Sequence, residues 1–168
     1  MKKKKTCVLS SLLYNLKSNH ANAESVGFVW VLIPLFLCQN FCMWIKFNSN
    51  PKLLTIDDCT VRALSVATRR PWRVCYTMLA NEGRELGLMM DDKAVFGKVL
   101  KDAGFHKVLV PEDCPVCFTI KDFCRQYPKG IYIVATNNHV VAVIDGDYYD
   151  TFDSGDETPI YYWRADNV

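Results

Sequence analysis

Near Gly130 the spacing of apolar residues changes from that of helices to that of strands. Upstream, from Asp57 onward, hydrophobic side chains recur at three- and four-residue intervals, as on one face of a helix. Downstream, "IYIVAT", "HVVAVI", "YYDTF" and the terminal "IYYWRA" are short runs with a period of two, broken by turn residues. Helices first and strands last specify an α+β domain, with N-terminal helices packed as one layer on a C-terminal antiparallel sheet.

Four helices are expected. The first follows Asp57 and Asp58 and carries Val61, Leu64 and Ala67 on its inner side. Acids at that position suit unpaired amides and the positive end of the helix dipole. The second opens near Pro71, with Trp72, Cys75, Tyr76 and Leu79 on one face. The third runs from Asp91-Asp92 to a stop at Gly104, and a short fourth, "TIKDFCRQY", begins after its cap Thr119. A loop, "VPEDCPVC", separates the last two.

A chain of 168 residues, half of them apolar, can bury one sizeable core. Its charge is unevenly placed. Residues 1–42 hold five lysines against Glu24, whereas residues 43–168 hold 15 Lys and Arg against 17 Asp and Glu. A mildly acidic domain lacks the basic footprint of a nucleic-acid binder, so no such partner is expected. Eight cysteines do not form a disulfide pattern here: Cys59, Cys75 and Cys124 fall inside apolar or helical segments, as reduced thiols do.

Two readings of residues 1–42 stand side by side. Residues 25–45, "SVGFVWVLIPLFLCQNFCMWI", carry no charge, and as a helix they would be about 31 Å long, enough to cross a hydrocarbon core. Pro34 and the pair Gln39-Asn40 interrupt that run. A spanning segment would make the protein single-pass, with the basic N-terminus inside and the domain outside. In the other reading translation starts at Met43, residues 1–42 are an upstream extension of the reading frame, and the domain at 43–168 is cytoplasmic. The chemistry below needs only 43–168.

The chemistry centres on His139, placed at the start of an apolar strand and followed by returning aspartates. It needs a nucleophile. Cys59 fits best, because it opens a helix whose dipole and free amides favour thiolate over thiol. The Cys59 amide would also point toward an oxyanion formed on attack.

The residues "DDCTVRALSVAT", "NHVVAVIDGDYYDTFDSG" and "YYWRA" resemble the small papain-like cysteine peptidase domains of bacteria and their phages. More distantly, they are similar to bacteriocin-processing peptidases. The resemblance covers roughly Met43 to Ala165. It implies a thiol-dependent hydrolase of peptide or related amide bonds, with Cys59 as nucleophile, His139 as general base and an aspartate orienting the imidazole. A peptide or protein substrate is the implied partner, and a membrane is a second one only through residues 25–45. Two departures stand out. Where the family usually carries a glutamine six residues before the cysteine, this chain has Leu53, with Asn48, Asn50 and Thr55 as substitutes. Asp57 and Asp58 also place negative charge beside the thiol, which opposes its ionisation.

The orienting acid depends on hairpin register. A two-residue turn, Asp145-Gly146, sets His139 opposite Phe152 and puts Asp150 on the His139 face. A three-residue turn beginning at Ile144 sets His139 opposite Thr151 and brings Asp153 there instead. The resemblance favours Asp153, since in the family the orienting residue follows the return strand and is often trailed by serine, as in Asp153-Ser154. Asp150 is the alternative, one register step away.

Other constellations are weaker. Cys114, Cys117, His106 and Cys124 could supply four zinc ligands, but a single CxxC is a poor signal. The acids from Asp145 to Asp156 lack the spacing of a calcium loop, because Tyr149 stands at the third ligand position. No metal and no cofactor is expected. Besides the hydrolase, two alternatives remain: an inactive binding module on the same fold, and a membrane-tethered accessory protein.

Overall fold

The computed structural model describes residues 42–110 and 118–166. Among the described residues, four helices pack against a mixed six-stranded sheet. The elements are β1 (Trp44–Lys46), α1 (Cys59–Thr68), α2 (Trp72–Leu86), α3 (Lys93–Asp102), β2 (Phe105–Leu109), α4 (Ile120–Gln126), β3 (Ile131–Ala135), β4 (Val140–Ile144), β5 (Asp147–Asp150) and β6 (Tyr161–Ala165). Across the sheet the order is β1-β5-β4-β3-β6-β2.

The α+β class follows from the patterning, but three details correct the expectation. The sheet is not purely antiparallel, because β1 pairs parallel with β5, Trp44 opposite Tyr148. It is not purely C-terminal either: β1 precedes every helix of the described residues, and β2 follows α3 to pair with β6. Nor is there one helical layer. Along β3 and β4, alternate residues face opposite ways, and both faces are covered. Ile133 and Ala142 join the cluster of Val61, Leu64, Phe96 and Leu100 under α1, α2 and α3. Tyr132, Val134, Val141 and Val143 join Ile120 and Phe123 of α4. The second face is aromatic, with the Phe123 ring edge-on to Tyr132 and Tyr162 at centroid distances of 5.3 and 4.9 Å.

Among the described residues, no helix is long and apolar enough to cross a membrane. Most of the 25–45 stretch lies outside the described residues. Its last residues do not continue as a helix, since Trp44 and Ile45 belong to β1. This strand holds the end of β5: the Phe47 amide and the Trp44 indole both donate to the Asp150 carbonyl, at 2.9 and 3.3 Å.

Candidate active site

The hairpin closes through the two-residue turn. Ile144 faces Asp147 and Val143 faces Tyr148, with Asp145 and Gly146 at φ 51° and 80°. Left-handed values at both turn positions match the twist of the flanking strands, and Asp-Gly supplies them cheaply. The turn is also tied to the start of β3, because Gly130 N–H donates to the Asp145 carboxylate at 3.1 Å. This register corrects the choice of Asp153. His139 lies beside Phe152, ring centroids 5.0 Å apart, and its Nε2 donates to Asp150 Oδ2 at 2.6 Å. Asp153 accepts instead from the Tyr148 hydroxyl and, at 3.1 Å, from the Gly155 amide. Burial separates the two acids as well: the Asp150 side chain is 3% exposed and that of Asp153 45%.

Asp150 is a well-satisfied buried carboxylate. Besides His139, it accepts from the Ser154 hydroxyl at 2.7 Å and the Thr151 amide at 2.7 Å. Burial alone would raise its pKa, but the His139 hydrogen bond and charge, with Ser154 and Thr151 behind them, hold it below the usual carboxylate range. It is therefore an acceptor that fixes the ring, with Nε2–H directed at the carboxylate.

With Nε2 committed, Nδ1 is the nitrogen left for the thiol of Cys59, which lines the same cleft and whose ionisation is linked to that of the ring. Cys59 opens α1 as expected. Burial disfavours its thiolate, but the hydrogen bond and charge of His139, the Val140 amide and Arg62 outweigh that and bring its pKa below the ordinary thiol value. Burial likewise disfavours the imidazolium, yet its bonds to Asp150 and Cys59 and their charges raise His139 from 6.5 to about 9. The arrangement favours a thiolate–imidazolium pair.

Asp58 does not oppose this pair as its position in sequence implies. Its side chain makes no capping bond to α1. It turns inward, ion-paired with Arg62, and accepts from the Trp72 indole at 2.9 Å and the Asn50 amide at 3.1 Å. The first amides of α1, which have no intrahelical partner by position, are thereby left without a side-chain cap beside the sulfur. Asp57 is exposed to solvent, where its charge is screened. Arg62, Ser154 and Trp72 thus bind the two carboxylates beside the site; the sequence marked Trp72 only as a helix-face residue and Ser154 only as the neighbour of Asp153, and it did not mark Arg62.

Cys59 and His139 open into a cleft of about 460 Å³, lined by Ile56, Phe96, Phe152 and Tyr161 among others. Thr55 lines this cleft. Asn48 and Asn50 do not: both carboxamides are spent inside the preceding loop, on Leu54 O and on Asp58. Leu53 is 73% exposed and lines a separate groove. Among the described residues, no group of three potential metal ligands comes together. Cys114 and Cys117 lie outside the described residues. His106 pairs with Asp166, and Cys124 lies beside Cys42.

The charge states set a pH dependence. His139 is raised, so it contributes stability that is complete below about 6.5 and lost as pH rises through about 9. Cys59 and Asp150 are lowered. Each contributes stability present above its unfolded pKa and lost as pH falls through its folded one. A reaction that needs the ion pair is expected to follow a bell, with its alkaline limb near 9 and its acid limb below the ordinary thiol range. Initial rates across pH check both limbs.

No family model, no curated protein and no solved structure matches this chain.

Proposed function

We propose that the domain is a papain-like, thiol-dependent hydrolase of a peptide or related amide bond. The observation that carries this reading is the chain of contacts from the helix-opening Cys59 to His139 to the buried Asp150, facing one cleft. Cys59 thiolate attacks the carbonyl carbon, and the open amides at the start of α1 receive the oxyanion. The His139 imidazolium gives its proton to the leaving amine as the C–N bond breaks, which leaves a thioester on Cys59. His139, now neutral, takes a proton from water, and the hydroxide attacks the thioester. The acid leaves and the thiolate–imidazolium pair is restored. Asp150 holds the tautomer and the ring plane throughout.

A peptidyl vinyl sulfone, read by peptide-resolved mass spectrometry, tests this. It is expected to modify Cys59 in the wild-type protein faster than the buried Cys75, whose pKa burial raises. Total labelling should fall sharply in Cys59→Ala. Equal labelling of the two proteins would leave the inactive binding module as the better reading, a reading favoured by Leu53 at the usual glutamine position.

A further inference from the structure

We propose that Arg62 is a positioning residue of this site, whose buried guanidinium, held between the carboxylates of Asp58 and Asp150, favours the Cys59 thiolate. The inference rests on the hydrolase reading above and adds a residue to it. Arg62 lies one turn after Cys59 and four residues after Asp58, so all three share one side of α1. Its side chain is 9% exposed. One amino group of the guanidinium binds Asp58 and, at 3.2 Å, the Ile56 carbonyl; the other faces Asp150 Oδ1 at 3.9 Å. A planar fork can engage two acids at once, which a lysine's single ammonium does less well.

Charge accounting gives the role. Asp58 just before α1, Asp150 from β5 and the thiolate place three negative charges around the buried end of the cleft. His139 just before β4 supplies one positive charge and Arg62 the second. Asp57, Asp91 and Lys93 also line the cleft but are solvent-exposed. Without Arg62, the sulfur would keep the imidazolium as its one close positive charge, and its thiolate would be less favoured. Asp58 explains why the arginine stays in place. Pinned by Trp72 and Asn50, it anchors the guanidinium at the end away from the reaction.

The test titrates Cys59 without any substrate, by the rate of iodoacetamide alkylation across pH with the Cys59 peptide resolved by mass spectrometry. In Arg62→Met the midpoint is expected to rise by about one pH unit or more, and Arg62→Lys should recover most of that shift. Arg62→Gln keeps a hydrogen-bond donor for Asp58 without the charge and should shift the midpoint upward as the methionine does, which keeps the test decisive where Arg62→Met does not fold. A folded Arg62→Met with the wild-type midpoint, an Arg62→Lys shifted as far as the methionine, or an Arg62→Gln with an unmoved midpoint would each overturn the proposal. An ordinary free-thiol midpoint in the wild type itself would instead remove the hydrolase reading beneath it.

Discussion

Cys59→Ala and His139→Ala are each expected to lower kcat/KM by about 10⁴-fold or more, and the double variant by no more than the worse single one. In the proposed mechanism the two side chains act as one device. Without the sulfur there is no acyl acceptor. Without the imidazole the thiolate loses the largest influence that favours it, and the leaving amine loses its proton donor. Neither change should unfold the domain, since Cys59 and His139 sit at the cleft, apart from the two buried clusters that hold the helices to the sheet. Near-additive losses in the double variant, measured with a fluorogenic peptide and with folding checked by circular dichroism, would mean that the two residues work separately.

A contrast between two aspartates is the second expected result. Asp150→Asn should reduce kcat/KM by about 10²–10⁴-fold, while Asp153→Asn should stay within about twofold of wild type. Asp150 is buried and accepts from the ring nitrogen at 2.6 Å. An asparagine there removes the charge that supports the imidazolium, and its amide group would present N–H to N–H or force the other tautomer. It also leaves Arg62 facing Asp58 alone, so a stability loss is expected too. Asp153 lies mostly in water, and the Tyr148 hydroxyl and Gly155 amide that it accepts from can both donate to an asparagine oxygen. The reverse ranking would require the His139 hairpin to be shifted by one residue.

Which of these features could be read from residues alone follows from the range of the forces involved. The α1–α4 helices and β3–β6 strands carry their own periodicity, and the starts of α2, α3 and α4 are marked locally by Pro71, Asp92 and Thr119. β1 and β2 carry no such mark. β1 is three residues long inside an uncharged run, and its parallel partner β5 lies about a hundred positions away. The "FHKVL" of β2 becomes a strand because the edge of β6 is there to receive it. Placing α4 on the second face likewise depends on which side of β3 its aromatic residues meet.

The site divides the same way. Cys59 at a helix start and His139 at a strand start are local features, and their chain order pointed to a shared cleft. The choice between Asp150 and Asp153 turned on one residue of register, decided by two positive φ values and the Gly130 contact. Arg62 was invisible because an arginine in an amphipathic helix normally points to water. Its burial is set by acids on α1 and β5 together.

All of this depends on sulfur and imidazole sharing a proton across the cleft. The most direct measurement is the titration of ¹³C-labelled His139 by NMR, in the wild type and in Cys59→Ala. The account predicts a wild-type midpoint of about 9 that falls toward the ordinary histidine value once the sulfur is gone. A wild-type His139 that titrates near 6.5 and is indifferent to Cys59→Ala would contradict it.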